Sequence, residues 1–234
     1  MSVEFDFRGE VALVTGASGA LGSALVAAFR DAGAAVAAVD VRPPDHEDAL
    51  LELDESTTFY EADCTDETAV EAAVDQIVDD HGRLDHVCNV AGTWRGGDPL
   101  HETDADVFDF LMDVNLKSMF LVSKLTIPHL RETEGTIVSV SSRSSLEGGE
   151  GDGIYRASKA GVRILTETIA EENLGVVRAN AVLPSVLDTP MNREMMTPSE
   201  DWVDPADVAD VVRFLCSDAA SVTSGAAVPV YGEA

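Results

Sequence analysis

The sequence predicts an α/β protein built on one doubly wound parallel sheet of about seven strands, with helices on both faces. Short apolar runs alternate with segments of helical periodicity from residue 11 to residue 230, as they do in repeated strand–helix–strand units. A glycine-rich turn follows the first apolar run directly and opens the first helical segment. The chain has 234 residues with no linker or repeat, so we expect a single domain over 1–234.

Each element follows from a local pattern. Continuous apolar runs, typical of strands buried on both faces, predict strands at 11–14, 35–39, 57–61, 84–90, 136–140, 176–183 and 226–230. Apolar residues spaced by three and four predict helices at 21–33, 66–82, 104–130, 154–173 and 205–217, the third of which is long enough for two helices. Asp66 has the side chain and the position to cap the second helix. The acidic stretch 43–56 is predicted to be a loop with a short helix.

The charge balance limits the partners. The formal net charge is −28, with only three lysines beside twelve arginines. Such a charge opposes compaction unless salt screens it, which favours adaptation to a salty cytoplasm; an acidic protein of ordinary salt requirement is the alternative. Nucleic acid is not expected as a partner, because the surface has too few cations to replace the counterions on phosphates.

Composition also bears on location and metals. No run of 18 apolar residues occurs, and the first nine residues contain acids where a secretion signal would have bases, so we expect a cytoplasmic protein without a membrane span. Cys64, Cys88 and Cys216 lie in apolar or mixed segments without CxxC spacing. They are interpreted as buried thiols in a reducing compartment, and no metal site is expected.

The segment 11–40 has the organisation of a dinucleotide-binding unit. Its glycines lie where a backbone must approach a diphosphate held at a helix N-terminus. Asp40 ends the second strand, where a carboxylate accepts hydrogen bonds from the adenosine ribose and repels a 2′-phosphate. This predicts NAD rather than NADP. Arg42 leaves NADP open as the alternative, because a cation there could tolerate the phosphate.

Tyr155 and Lys159 are four residues apart at the start of a predicted helix and therefore share one face. A neighbouring ammonium favours the phenolate form of tyrosine, so the pair is suited to proton transfer. Ser142 ends the fifth predicted strand, where its hydroxyl could bind a substrate oxygen. The alternative for the pair alone is an amphipathic helix with a solvated lysine.

These motifs occur together with several others. They are TGASGALG at 15–22, Asp40, Asp63, NVAG at 89–92, VN at 114–115, SVSS at 139–142, YRASK at 155–159, VRANAVLP at 177–184 and TPM at 189–191. In this order and spacing they resemble the short-chain dehydrogenase/reductase family over essentially the whole chain. The resemblance implies a Rossmann-like fold and hydride transfer between a nicotinamide cofactor and an alcohol or ketone.

The resemblance also implies roles for individual residues. Tyr155 would be the general acid/base, Ser142 would orient the substrate oxygen, and Lys159 would bind the nicotinamide ribose and lower the pKa of the tyrosine. Asn115 would support a water that links the lysine to solvent; the alternative is a surface asparagine at a helix kink. Cofactor-binding positions would be Gly16, Ser18, Ala20, Leu21, Gly22, Asp40, Asp63, Cys64, Asn89, Ala91, Gly92, Tyr155, Lys159, Pro184 and Thr189. Asp63 has a competing interpretation as a helix cap.

The chain departs from the family pattern at a few positions outside the four catalytic ones. Ala20 and Ser185 stand where glycine is usual, and Val90 replaces an asparagine. Residues 230–233 read VYGE instead of the usual VDGG. These changes concern geometry and assembly more than chemistry.

The predicted function is hydride transfer between NAD(H) and a secondary alcohol or ketone. The alternatives are an NADPH-dependent ketone or 3-oxoacyl reductase that uses Arg42, and a catalytically silent nucleotide-binding scaffold. The segment 185–204 contains three methionines and a tryptophan, which suggests a pocket for a small, partly hydrophobic substrate. The acidic loop 147–152 disfavours an acidic carrier protein. By resemblance, the long helices at 104–130 and 154–173 would form a homodimer or homotetramer.

Overall fold

The computed structural model describes residues 5–232 and contains one parallel sheet within them. Its strands are β1 (Val11–Thr15), β2 (Ala35–Asp40), β3 (Thr57–Glu61), β4 (His86–Asn89), β5 (Thr136–Val140), β6 (Arg178–Pro184) and β7 (Ala227–Val230). They are arranged in the order β3-β2-β1-β4-β5-β6-β7. The doubly wound parallel sheet of seven strands predicted from the sequence is therefore confirmed.

The helices cover both faces of this sheet. They are α1 (Ala20–Asp31), α2 (Glu67–His81), α3 (Ala105–Met112), α4 (Ser118–Thr133), α5 (Gly153–Glu172), α6 (Pro190–Met195) and α7 (Pro205–Cys216). A π-helical turn, Asp113–Lys117, joins α3 to α4, and short 3₁₀ turns lie at Arg143–Leu146 and Asp218–Ala220. The predicted helix over 104–130 is thus two helices joined by a wider turn.

Each face of the sheet has its own apolar core, because successive side chains of a buried strand point to opposite faces. Val14 of β1 faces α1 and α7, whereas Leu13 faces α2, α4 and α5. The first core includes Leu25, Phe29, Val208, Val212 and Leu215. The second includes Ile77, Leu84, Leu130, Ile137 and Val162.

The strand order reverses between β1 and β4, which are neighbours inside the sheet: β2 and β3 extend it on one side, and β5, β6 and β7 extend it on the other. In open α/β sheets the ligand crevice lies at such a point, outside the carboxyl ends of the strands. The Thr15 hydroxyl fixes the two sides of this crevice, accepting hydrogen bonds from the N–H groups of Val90 at 2.9 Å and Ala91 at 3.1 Å. The loops that follow β1 and β4 are therefore joined where a cofactor would enter.

Local chemistry explains several element ends. The Asp66 side chain accepts a hydrogen bond from the Thr68 N–H at 2.9 Å, which confirms Asp66 as the cap of α2. The predicted short helix within 43–56 is wrong, because this acidic stretch contains only turns and irregular backbone. The sequence did not predict α6, which has six residues and begins with Thr189 as its cap and Pro190 in its first turn.

Candidate active site

The turn between β1 and α1 brings backbone very close to backbone. Gly16 has a φ of +64°, and a β-carbon added to Gly22 would lie 2.0 Å from the Gly16 carbonyl oxygen. Alpha helix α1 begins without a capping side chain and without an acid in its first turn. The N–H groups at Ala20, Leu21 and Gly22 therefore remain available at the positive end of the helix dipole, as binding of a diphosphate requires.

Asp40 lies at the tip of β2 and is buried against this turn. Its Oδ2 accepts a hydrogen bond from the Ser18 N–H at 2.9 Å, and its Oδ1 accepts one from the Arg42 N–H at 2.9 Å. The Ser18 hydroxyl donates to the Arg42 carbonyl oxygen at 2.6 Å. The acid is thus fixed beside the glycine turn, and no carboxylate in residues 5–232 pairs with the Arg42 guanidinium.

The residues after β3 lie on the far side of Asp40. The exposed Asp63 carboxylate accepts hydrogen bonds from the Thr65 N–H and hydroxyl, both at 2.8 Å. Since Asp66 caps α2, the competing interpretation of Asp63 as the helix cap is wrong. Cys64 is buried here, and burial together with the charges of Asp40 and Asp63 raises the pKa of its thiol to about 12. This cysteine is therefore unreactive, and all three cysteines are buried and free, as predicted.

Asn89 ends β4, but its side chain points into the protein rather than into the crevice. Its amide nitrogen donates to the hydroxyl oxygens of Ser123 at 3.1 Å and Ser139 at 3.2 Å. Its oxygen is buried without a partner among the described residues. The Asn89 side chain therefore holds β4 to β5 and α4.

The Lys159 and Asn115 side chains both end beside Gly92. A β-carbon on Gly92 would lie 3.0 Å from both the Lys159 ammonium nitrogen and the Asn115 amide oxygen, so a larger residue would crowd these two groups. The Lys159 ammonium donates to the Val140 carbonyl oxygen at 2.9 Å. Burial disfavours its charge and lowers the pKa of Lys159 to about 8.

Asn115 is held by the backbone of Thr93. Its oxygen accepts from the Thr93 N–H at 2.7 Å, and its nitrogen donates to the Thr93 carbonyl oxygen at 3.0 Å. The residue is only 1% exposed and lies in the π-helical turn between α3 and α4. The alternative interpretation of a surface asparagine is therefore wrong, and the wider turn directs its amide inward.

Tyr155 lies in the first turn of α5 opposite Ser142. Burial raises the pKa of Tyr155; a hydrogen bond with the Ser142 side chain opposes this effect, and the negative charge of Asp152 adds to it. Lys159 is not among the groups that shift the pKa of Tyr155 in this structure. The reason is that the lysine ammonium is bonded to Val140, while desolvation dominates at the phenol.

Pro184 is the last residue of the sixth strand, and Thr189 follows this strand. Pro184 is buried at the end of β6, where it pairs with Val230 of β7. The Thr189 hydroxyl oxygen accepts from the Asn192 N–H at 3.2 Å and so fixes the start of α6. The sequence did not predict the helix that Thr189 caps.

Two glycine-rich loops meet at the mouth of the crevice. The Gly97 N–H donates to the Gly151 carbonyl oxygen at 2.7 Å, which joins the segments 93–100 and 147–152. The arginines nearby already have partners: Arg95 above the Phe110 ring at 4.0 Å, Arg143 above the Tyr231 ring at 4.8 Å, Arg156 with Asp152 at 2.6 Å and Arg193 with Asp188 at 2.5 Å. Methionines 191, 195 and 196 are about half exposed, so they belong to the rim rather than to the core.

Sequence reasoning missed Ser158, Thr93 and Ser141. Ser158 contacts both Asn115 and the backbone of Tyr155, at 3.0 and 2.7 Å. The Ser141 hydroxyl donates to the Lys159 carbonyl oxygen at 2.7 Å and ties α5 to the end of β5. Ser158 is part of the YRASK motif. Its hydrogen bond with Asn115, 43 residues away in the sequence, could not be predicted from a local pattern.

Two absences concern the described residues 5–232. They contain no group of three or more His, Cys, Asp or Glu side chains that could hold a metal ion. None of their helices is both long and apolar enough to cross a membrane.

Comparison with known proteins agrees with this arrangement. A family model described as enoyl-(acyl carrier protein) reductase matches residues 16–232. The 3-oxoacyl-[acyl-carrier-protein] reductase of Thermotoga maritima is 32% identical over 240 residues, which cover 96% of this chain and 97% of that protein. The meso-2,3-butanediol dehydrogenase of Serratia marcescens is also 32% identical over 240 residues, covering 97% of this chain and 95% of that protein.

Solved structures share the whole fold. The 3-ketoacyl-(acyl-carrier-protein) reductase of Brucella melitensis, complexed with NADH, has a TM-score of 0.89 at 28% identity, with 97% of this chain and 98% of that chain covered. The ligand-free aldohexose dehydrogenase of Thermoplasma acidophilum has a TM-score of 0.86 at 28% identity, with 97% and 94% covered.

Proposed function

The chain belongs to the short-chain dehydrogenase/reductase family, and we propose that it transfers a hydride between NAD(H) and a secondary alcohol or ketone, with Tyr155 as general acid/base. NAD(P)-dependent oxidoreduction at a CH–OH group is the activity of the family members it matches. The observation that supports the specific proposal is the grouping of Ser142, Tyr155, Lys159 and Asn115 at the carboxyl end of the sheet. A nucleotide-binding scaffold without turnover would have no need of all four.

Each of these side chains has its own role in the proposed reaction. Ser142 holds the substrate oxygen, and Tyr155 accepts the hydroxyl proton in oxidation or donates one to the ketone oxygen in reduction. Lys159 binds the nicotinamide ribose and supplies positive charge near the phenol. NAD, when bound, supplies the redox chemistry as the hydride acceptor or donor.

The raised pKa of Tyr155 gives the two directions different pH dependence. A protonated phenol is the form that donates to a ketone, so reduction proceeds at neutral pH. Oxidation needs the phenolate, so its rate rises with pH. Lys159 has a pKa of about 8, so most of its ammonium is charged at neutral pH.

The proposed cofactor is NAD. The buried Asp40 carboxylate lies at the tip of β2 beside the diphosphate turn, where it would repel a 2′-phosphate. The second candidate is an NADPH-dependent ketone reductase, and the observation in its favour is the Arg42 guanidinium two residues beyond the acid, which pairs with no carboxylate among the described residues. At the other end of the cofactor site, Pro184 and Thr189 would border the nicotinamide.

We propose an uncharged alcohol or ketone as substrate, as in the butanediol dehydrogenase relative. Each of the four arginines around the mouth lies against an aromatic ring or an acid of this chain, which disfavours an anionic substrate. Exposed acids on the loop 147–152 add negative potential there. An acyl-carrier substrate, named for the Thermotoga relative, would be repelled unless salt screens the charge.

The assembly we propose is a homodimer or homotetramer formed through α3, α4 and α5. Phe108, Phe120 and Ile164 are each nearly half exposed on these helices, which is costly for an isolated chain. The free, buried cysteines suit a reducing cytoplasm, and the net charge of −28 suits a cytoplasm rich in salt.

The test is a dehydrogenase screen in high salt with NAD⁺ and NADP⁺ in parallel. The substrate panel pairs neutral and anionic molecules of similar size, such as 2,3-butanediol with lactate and methyl 3-hydroxybutyrate with 3-hydroxybutyrate. We expect NADH to form from the neutral member of each pair, with NADP⁺ the poorer cofactor. Preference for NADP⁺ would favour the second candidate, and nucleotide binding without turnover of any substrate would favour the scaffold.

A further inference from the structure

We propose that a clasp between two loops limits one branch of the substrate, so that the preferred alcohols carry only a methyl or ethyl group on one side of the reacting carbon. The clasp is the contact of Gly96 and Gly97 with Gly151. The inference rests on the proposed function, and it names the substrate class of that same site.

The two loops leave neighbouring strands of the sheet. Loop 93–100 follows β4, and loop 143–152 runs from Ser142, just beyond β5, to the helix that carries Tyr155. Because β4 and β5 are paired in parallel, both loops begin at the same edge of the sheet. They therefore bound the space beside Ser142 and Tyr155, where the proposed function places the reacting carbon.

The loops are in direct backbone contact. The Gly97 N–H donates to the Gly151 carbonyl oxygen at 2.7 Å. A β-carbon on Gly96 would lie 2.6 Å from that same oxygen, 2.9 Å from the Trp94 ring and 3.2 Å from the Asp152 β-carbon. The clasp is thus a closed wall of main chain, which cannot turn aside for a substrate as a flexible side chain does.

Each loop is also held from behind. The Thr93 N–H donates to the Asn115 amide oxygen at 2.7 Å. The Arg156 guanidinium donates to the Asp152 carboxylate at 2.6 Å and to the Glu147 carbonyl oxygen at 3.2 Å. These bonds fix both loops at positions outside the clasp, so a substrate branch that points toward it must be short.

The segment after β6 offers a different surface. In the sheet, β6 lies on the other side of β5 from β4, so this segment flanks the reacting carbon from the side opposite the clasp. It carries three methionines that are about half exposed, at positions 191, 195 and 196. Methionine side chains are flexible and adapt to apolar groups of different shape. We therefore expect the longer branch of the substrate on the side of α6.

Two isomers of heptanol test the inference without any substitution. 2-Heptanol has a methyl branch at the reacting carbon, whereas 4-heptanol has the same atoms and a propyl group on both sides. One surplus methylene in a closed pocket changes kcat/KM about tenfold or more, so wild type in high salt should favour 2-heptanol at least about tenfold in kcat/KM. Equal values for the two isomers would overturn the inference.

Gly96→Ala is the variant that opens the clasp. Its β-carbon cannot remain 2.6 Å from the Gly151 oxygen, so the loops must separate and the Gly97 N–H loses its acceptor. We expect faster amide hydrogen exchange at Gly97, measured by NMR, and an isomer ratio at least about threefold lower than that of wild type.

The matched control is Gly148→Ala, in one of the same loops, because no atom lies within 4 Å of its added β-carbon. It should keep both the Gly97 exchange rate and the isomer ratio of wild type. An unchanged exchange rate or an unchanged isomer ratio in Gly96→Ala would overturn the inference.

Two outcomes distinguish failure of this inference from failure of the proposed function. If Tyr155→Phe retains turnover, the proposed function fails whatever the isomer ratio is. If wild type oxidises other neutral alcohols but neither heptanol, or prefers 4-heptanol, only the limit on the substrate branch is refuted.

Discussion

Gly22→Ala tests the diphosphate turn most sharply. The new β-carbon would lie 2.0 Å from the Gly16 carbonyl oxygen, 2.7 Å from the Gly16 carbonyl carbon and 2.8 Å from the Ala17 Cα. All three are backbone atoms, so no side-chain rotation relieves the contact and the turn must move by more than an ångström. Overpacking typically costs 1–3 kcal/mol, and this substitution is expected at the upper end, about 3 kcal/mol. Displaced N–H groups would also lose bonds to a charged acceptor, which weakens NADH binding about tenfold to hundredfold.

The assay is urea unfolding in high salt together with an NADH fluorescence titration. Gly19→Ala is the matched control in the same turn: its β-carbon would lie 3.4 Å from the same Gly16 oxygen, and Gly19 has an ordinary φ of −82°. We expect this control to fold and bind NADH much as wild type does. Equal NADH affinity in Gly22→Ala and wild type would refute the assignment of this turn to the diphosphate.

Three further predictions concern stability. Burial opposes a charge on His86, but the electrostatic effects of the neighbouring Cys216 and of the Glu10 carboxylate, which lies 2.6 Å from its Nε2, outweigh burial and raise the pKa of His86 to about 9. Charged His86 should stabilise the folded state by at most about 3 kcal/mol. This stabilisation should be complete below pH 6.5 and disappear as the pH rises through 9, and the loss should be smaller in Glu10→Gln. Equal urea midpoints at pH 6.5 and 9.5 would contradict this prediction. Arg178→Met removes a guanidinium that bonds four backbone carbonyls at the end of α7, so the free energy of unfolding should fall by about 2–4 kcal/mol. Arg8→Met, at an exposed position, is the control and should unfold like wild type. Equal urea midpoints for the two variants would contradict this prediction. Circular dichroism across a salt series should show loss of structure in dilute buffer, and a fully folded protein there would contradict the halophilic hypothesis.

The sequence predicts the sheet well because buried parallel strands are continuous apolar runs with little ambiguity. It also predicts the glycine turn, Asp40 and the tyrosine–lysine pair, since each depends on a few neighbouring residues with fixed spacing. The short α6 was not predicted, because six residues are too few to show a helical period.

What the sequence could not predict depends on distant contacts. Apolar periodicity continues across 113–117, so the π-helical turn that directs Asn115 inward leaves no local signal. The direction of the Tyr155 pKa depends on how deeply the phenol is buried and on where the lysine finds an acceptor. In the sequence, Arg178 is simply part of the motif VRANAVLP at 177–184. In the structure, its guanidinium bonds to the carbonyl oxygen of Leu215 at the end of α7, 37 residues away.

The proton-transfer role of Tyr155 is the central claim, and Tyr155→Phe tests it with the loss of one oxygen atom. The measurement is hydride transfer to NAD⁺ from the best neutral alcohol of the screen, with NADH affinity determined on the same sample. We predict that turnover falls at least about a hundredfold while NADH binds nearly as in wild type. Turnover close to that of wild type would contradict the account.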